Sequence, residues 1–587
     1  MYLVCTLQMP SSASQTRILN AHVVENIHGL VRDLCQWTLE ANISQARVNK
    51  FLRVLSRHGL PVSRCARTVH RTPRTTNFVY RAGGKYVYNG LQNEIEKLLS
   101  TSEIIPSKLK LQFNIDGAKL PHTRNESMWP ILCMVKEFQF RPFVVGLFLS
   151  RQKPTPFEDF LHDFTKELRL LVKNGITYNG QLIEIVIHSF VCDAPARAAI
   201  KCVKGHSGYY SCERCSVKGY YIDGSVSLIC DGTETARTDS EFSRNAYVGR
   251  DDENYVLHQT SRSPLATYVP CVSSFVLDAM HLVFLGVVKR MLEFWKKGPD
   301  VCRISARQIE TVSNRISKFA KNMLPEFAHN PIPISQQDAW KATDYRTFLI
   351  YIGPIILQDI LSTDIYRHFM SLSVSIYILC LEDNGQRNLL IPYARKLLKY
   401  FVDDSPRLYT AGFVSYNVHG VMHISDDVER FNEPLSSLWA FPFESFMRYM
   451  KDKVRGSRSP ILQVINRIKE LDKCSIFPLR DESPMKVTAK PPNNCFLLTN
   501  KKILVITQQQ DDLLTGRVIN TKRLTDIFNC GIDSSDFLIG QITRHAFNMC
   551  PMVTGSSLLI ERKCLFFENE FGFVVYPLCH AKNQPTA

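Results

Sequence analysis

Four apolar runs of strand length follow one another between residues 109 and 193: LKLQFNID, WPILCMVKEF, FVVGLFLS and LIEIVIHSFVCD. A helical pattern near 157–173 separates the third from the fourth. Short β-rich runs with an intervening helix point to an α/β core, in which strands bury their apolar side chains against each other and a covering helix. Residues 221–415 then turn mainly helical, with FVLDAMHLVFLGVVKRMLEFWKK and DIYRHFMSLSVSIYILCLE as the clearest segments. A long helical block therefore follows a sheet that is still incomplete.

Residues 17–58 space their apolar side chains at three and four, the pattern of a small helical module, and Gly59 and Pro61 end its second helix. From about 476, after the proline-containing PMKVTAKPPNN, the runs CFLLTNKKILVITQQQ and KCLFFENEFGFVVYPL read as strands. The expected division is a helical, basic module at 1–105, the first part of the core at 106–220, a helical insertion at 221–415, the second part of the core at 416–475 and a β-rich C-terminal domain at 476–587. A chain of 587 residues with 45% hydrophobic content has the length for several cores and is not a disordered protein. No apolar stretch reaches about 18 residues, so no membrane partner is expected. The 18 cysteines are irregularly spaced, as in a protein of a reducing compartment.

The balance of 71 Lys+Arg against 55 Asp+Glu, a net charge of +16, favours a polyanionic partner. From Arg47 to Tyr88 the chain carries cations without a single Asp or Glu, interleaved with Phe51, Phe78, Tyr80, Tyr86 and Tyr88. Arg47, Lys50, Arg53, Arg57, Arg64, Arg67, Arg71 and Arg74 are candidate contacts to DNA phosphates, with aromatics beside them that pack or stack. A solvated basic face on an ordinary module is the alternative.

Asp116 and Asp193 each stand where an apolar strand opens into a turn, the end at which an α/β sheet presents groups to a ligand. Gly117 permits a tight turn, and Pro195 suits a first helical turn, so a capping role for Asp193 stays open. If the two strands are neighbours, the carboxylates converge and need cations between them, an arrangement suited to Mg²⁺ and phosphodiester chemistry. WAFPFESFMRYMKDKVRGSR offers a third acid, Glu444, on a helix followed by Arg448, Lys451, Lys453 and Arg455, further candidate contacts to a sugar-phosphate backbone. Asp278 and His281 in DAMH are weaker metal candidates, with helix capping as the alternative.

Cys212 and Cys215 have the two-residue gap that lets two thiolates bind one Zn²⁺. Far downstream His419 and His423, four apart on one helix face, supply the matching pair. A fully protein-ligated zinc of this kind is structural and would close the neck of the helical block. Two buried thiols and two core histidines are the alternative.

NIDGAKL with WPILC, CDAPARAAIKCVKGHSGYYSCERC, LDAMHLVFLGVVKRML, WKATDYRTFLIYIGP, and NVHGVMH followed by FPFES, in this order, give the chain its family likeness. From about residue 45 to 475 it resembles the eukaryotic cut-and-paste DNA transposases of the DDE type grouped with CACTA, Mirage and Chapaev elements. The resemblance implies an RNase H-like catalytic core interrupted by the helical insertion, with Asp116, Asp193 and Glu444 holding Mg²⁺ or Mn²⁺. It implies double-stranded DNA as partner, both transposon ends and target, nuclear localisation, and action as a dimer or larger assembly. One departure is that Cys5, Cys35 and Cys65 lack the ligand spacing of the N-terminal zinc finger that many members carry. The competing expectation is a domesticated or decayed derivative that binds DNA without catalysing the reaction.

Overall fold

A computed structural model describes residues 29–123, 125–138, 141–249, 258–473, 485–556 and 559–582, so the expected helical start at 17–28 lies outside the described residues. The architecture is mixed α/β, with a mixed sheet, a helical region in the middle of the chain and a β-rich C-terminus. Two compact units divide it. The first contains the described parts of Met1–Leu109, Asp116–Glu184 and Pro442–Arg480. The second contains Lys110–Ile115 and the described parts of Ile185–Phe441 and Asp481–Ala587.

The strands of the first sheet are β1 (Val79–Arg81), β2 (Gly84–Tyr88), β3 (Lys108–Ile115), β4 (Ala118–Lys119), β5 (Ser127–Val135), β6 (Phe143–Ser150), β7 (Ile176–Tyr178) and β8 (Gln181–Cys192). A separate hairpin follows, β9 (Tyr220–Ile222) with β10 (Ser225–Ser227), and then β11 (Phe275–Leu277) rejoins the sheet. The strand order is β1-β2-β6-β5-β3-β8-β11, with β4 on β5 and β7 on β8. Pairs β1–β2, β2–β6 and β5–β6 are antiparallel, whereas β11 runs parallel to β8 with Phe275 opposite Phe190 and Leu277 opposite Cys192.

In the first unit, the helix Phe157–Asn174 buries Phe160, Leu161, Phe164, Leu168 and Leu171, one face at intervals of one, three and four residues. Phe160 meets Tyr86 at 6.0 Å and Phe148 at 5.7 Å, so β2 and β6 receive this face. One flank of this face is acidic and used: Asp163 pairs with Arg81 at 2.6 Å, and Glu167 accepts the amides of Leu91 and Gln92 at 2.7 and 3.0 Å. Glu167 thereby caps the helix Leu91–Leu99, whose own N-cap, Gly90, has no side chain to do so.

In the second unit, the helix Thr363–Leu379 is buried on nearly every side, and its buried His368, Ser371, Ser373 and Ser375 are hydrogen-bonded to backbone carbonyls. The C-terminal sheet packs against this helical region. Its strands are β12 (Cys495–Leu498), β13 (Ile503–Gln510), β14 (Leu513–Ile519), β15 (Gly540–Ile542), β16 (Met552–Ser556), β17 (Ile560–Asn569) and β18 (Gly572–Lys582), in the order β15-β18-β17-β12-β13-β14-β16. Tyr576 donates to the Ile350 carbonyl at 2.5 Å, Tyr377 to that of Pro577 at 3.3 Å, and buried Lys563 reaches Glu326 at 2.6 Å.

Phe190 of β8, fully buried, lies between Phe113 of β3 at 5.1 Å and Phe275 of β11 at 4.7 Å, both rings near-parallel to its own. Replacing it with Ala leaves a cavity between three strands. Phe190→Ala is expected to lower stability by about 3–5 kcal/mol, read as a drop in the urea midpoint of the transition that reports this unit.

Candidate metal centre and basic groove

Cys212 and Cys215 lie on a tight loop in which the amides of Arg214 and Cys215 both donate to the Cys212 Sγ at 3.4 Å. His419 belongs to the helix Tyr416–Gly420, and His423 lies one turn on, before the helix Ile424–Phe431. The four side chains form a candidate metal-binding group with every ligand atom within 4.8 Å of the others. The two sulfurs are 3.5 Å apart, the two Nε2 atoms 3.3 Å, and the nearest sulfur–nitrogen pairs 3.3 and 3.6 Å.

These spacings fit a tetrahedral zinc. Bonds of ~2.3 Å to sulfur and ~2.0–2.1 Å to nitrogen place tetrahedral corners about 3.8 Å apart for two sulfurs and about 3.3 Å apart for two nitrogens. The second coordination layer is also present: His419 Nδ1 donates to the Leu228 carbonyl at 3.1 Å, which leaves Nε2 free to bind a metal. Burial opposes ionisation of Cys212, but the Cys215 thiol hydrogen bond and the His419 and His423 charges hold it well below the usual thiol range. The hydrogen bond to Cys212 pushes Cys215 up. Against burial, which lowers it, the Cys212 charge raises His419 to about 10. A metal is bound by thiolates and neutral imidazoles, so a cation entering here displaces the protons these side chains carry.

Between the two cysteines, Glu213 and Arg214 turn into the interior. Glu213 accepts from Arg197 at 2.7 Å, Lys201 at 2.5 Å and the Tyr416 hydroxyl at 2.8 Å. Burial would raise its pKa, yet the two cations hold it far below the usual carboxylate range. One guanidinium nitrogen of Arg214 reaches both carboxylate oxygens of Asp427, at 2.8 and 2.9 Å, and also donates to the Phe275 carbonyl. Asp427 in turn accepts the amide of Leu277, at the end of β11. The metal loop is thus anchored to the strand that pairs with β8. Sequence reasoning missed this set, although Arg197 and Lys201, four apart on one helix face, and two charges between ligand cysteines were a readable signal.

The acids lie as follows. Asp116 follows β3 directly, is 8% exposed, and accepts the Gly117 amide at 2.6 Å. A Cβ on Gly117 would come within 2.5 Å of the Trp129 indole, so only glycine leaves this turn undisturbed. Glu444 occupies the first turn of the helix Phe441–Lys451, where the helix dipole favours a negative charge. Carboxylate oxygens of Asp116 and Glu444 lie within 4.8 Å of each other, the carboxylate arm of a second candidate metal-binding group. Asp193, in the second unit, ends β8 and caps the helix Ala194–Lys201 by accepting the Ala196 amide at 2.7 Å. Ahead of the two aspartates, β3 and β8 are cross-linked, Asn114 donating to the Val191 carbonyl at 2.7 Å and Ile115 to the Cys192 Sγ at 3.4 Å. Asp278, 1% exposed, accepts the amide of Ala440 at 2.8 Å, just before the Glu444 helix, and holds His281 Nδ1 at 2.6 Å.

The first unit gathers two basic segments into one groove of about 1050 Å³. Arg67, Arg71 and Arg74 line it from the N-terminal segment, and Lys453, Arg455 and Arg458 from the segment after the Glu444 helix. Glu470, the one acid among its described lining residues, is 1% exposed and engaged by Arg467 at 2.8 Å and by the Thr72 hydroxyl. Burial, reinforced by the Arg467 charge, depresses Lys453 to about 8. Arg448 and Lys451 on the helix, and Arg47, Lys50, Arg53 and Arg57 on the helix Gln45–Arg57, lie outside the groove lining, as does Arg64, which bonds Ser56 at 3.0 Å.

Compared with known proteins, the chain matches no family model, and a search of curated proteins finds no match.

Cys212→Ser is expected to lower the bound zinc of purified protein from about one ion per chain to well below half, measured by atomic emission, because a hydroxyl is a poor fourth ligand. Unchanged stoichiometry would remove Cys212 from the site.

Proposed function

We propose that the chain is a DDE-type DNA transposase that cuts and rejoins DNA by phosphodiester hydrolysis and transesterification. The observation that carries this reading is the meeting of the Asp116 and Glu444 carboxylates, from a strand end and a helix start far apart in sequence. An RNase H-like core is the fold this reading assigns to the first sheet. It is supported by β3 and β8, the strands that end at the two aspartates, being neighbours, and by the parallel β8–β11 pair.

Asp116 and Glu444 are assigned a catalytic divalent cation, Mg²⁺ or Mn²⁺, and Asp193 is the third acid that the family resemblance implies. Once bound, such a cation supplies charge stabilisation for a departing 3′ oxygen and lowers the pKa of an attacking water or hydroxyl. The chain's own contribution is positional. The Gly117 turn under Trp129 and the dipole of the Glu444 helix set two carboxylates side by side, and the groove cations neutralise phosphates and fix a DNA strand in register. Zn²⁺ is assigned to Cys212, Cys215, His419 and His423 as a structural ion, since four protein ligands leave no open position. The partners of this reading are double-stranded DNA, as transposon ends and target, and a second copy of the chain, in the nucleus. A second reading, a domesticated or decayed DNA-binding derivative, is favoured by Asp193, whose carboxylate is already engaged as a helix cap.

Asp116→Asn and Glu444→Gln are each expected to reduce Mg²⁺-dependent nicking of duplex DNA more than about a hundredfold. Duplex affinity measured in Ca²⁺ should be unchanged. Wild-type chain that binds duplex without cutting it in Mg²⁺ or Mn²⁺ would favour the second reading. Separately, Arg71→Glu with Arg455→Glu should flatten the dependence of log affinity on log salt by about one unit for each phosphate that is no longer neutralised. Coincident slopes for this variant and wild type would place the DNA elsewhere.

A further inference from the structure

The helix Gln45–Arg57 buries Val48 and Leu52 against Leu39, Val62, Ala66 and Leu471, which completes the core of the N-terminal module. Phe51 and Val54 take no part in that core and are 40% and 38% exposed. The preceding helix, 29–40, sends out Trp37, which is 50% exposed. The Trp37 and Phe51 rings sit 5.9 Å apart at 67°, edge to face. An edge-on pair cannot cover the faces of both rings, so flat aromatic surface stays open. Exposed Arg47, Lys50, Arg53 and Arg57 stand on the same helix as Phe51, and among the described residues none of the four has an acidic partner. Arg47 is one turn before Phe51 and Arg57 nearly one turn after Val54, on the same side of the helix.

We propose that Trp37 and Phe51 form a stacking platform for unpaired bases of a single-stranded nucleic acid, with Arg47, Lys50, Arg53 and Arg57 holding its phosphates. A surface that offers open aromatic faces beside a row of cations is complementary to a polyanion whose flat rings are themselves exposed. Duplex DNA meets the second condition only at frayed or unpaired positions. A lipid surface fits less well. The continuous apolar stripe of this helix is consumed by the core, and two rings with one valine leave no wide apolar face to enter a bilayer. The inference goes beyond the proposed reaction and requires neither Asp116 nor Glu444.

The test uses the full chain and three labelled probes of equal length: oligo-dT, oligo-U and a mixed-sequence duplex. Trp37→Ala with Phe51→Ala is expected to weaken binding of a single strand about tenfold or more, while duplex affinity changes less than about twofold. Weaker binding of oligo-dT, oligo-U or both supports the platform and identifies the sugar it accepts. Trp37→Phe, which keeps a ring, should stay within about threefold of wild type, which separates stacking from a folding defect. Unchanged affinity for both single strands, or an equal weakening on the duplex, overturns the proposal. So does ring-dependent adsorption to phosphatidylserine vesicles without any weakening on the oligonucleotides.

Discussion

One buried carboxylate, Glu213, holds the metal loop in place. At 4% exposure it could not remain charged without the Arg197 guanidinium, the Lys201 ammonium and the Tyr416 hydroxyl around it, and each of these also fixes a different segment. Arg197 donates to the Cys192 carbonyl, at the end of β8 beside Asp193. Lys201 lies 5.3 Å over the ring of Phe275 in β11. Tyr416 opens the short helix that carries His419. The same ion cluster therefore orients the strand end that bears an acid and the helix that brings the distant histidine to the cysteines. Arg214 extends it to Asp427 and the end of β11.

What the sequence revealed follows from the range of the forces involved. Spacing rules acting within one turn made Cys212 with Cys215 and His419 with His423 legible as pairs, and their chemistry made the two pairs complementary. Apolar runs ending in Asp116 and Asp193 were legible because a strand is a local pattern, and Pro195 signalled the helix that Asp193 caps. The Arg47–Tyr88 block and the cations after Glu444 were each visible in composition. That Arg67, Arg71 and Arg74 of the first share one groove with Lys453, Arg455 and Arg458 of the second was not, because the two segments meet through packing of helix 460–473 on the N-terminal module. The buried charges stayed hidden for a related reason. Arg197, Lys201 and Glu213 look like surface residues until their partners, distant in sequence, are known. The attachment of the C-terminal sheet to the helical region, through Tyr351, Tyr377 and Tyr576, is long-range in the same way.

The charge distribution of the first unit is equally non-local. Glu470, the one acid among the described residues lining the groove, is spent on Arg467 and Thr72, and among the described residues the other lining cations form no ion pair. Lys453 reflects this: its ammonium lies 3.9 Å over the Tyr449 ring, and burial among like charges brings it to about 8. The groove's own electrostatics are thus unfavourable until an anion enters, which is the condition under which a polyanion binds strongly and salt competes strongly.

The interleaving of the two units has a consequence for biosynthesis. The hydrophobic cluster of the N-terminal module, Leu39, Val48, Leu52, Val62 and Ala66, is completed by Leu471 and packed by Tyr449. Both come off the ribosome only after all of Ile185–Phe441. At ~5–20 residues per second, the module waits some tens of seconds with one wall of its core missing. Through that interval its apolar face and its basic surface are presented together to solvent. Until Tyr449 and Leu471 arrive, nothing in the module itself replaces the wall they complete.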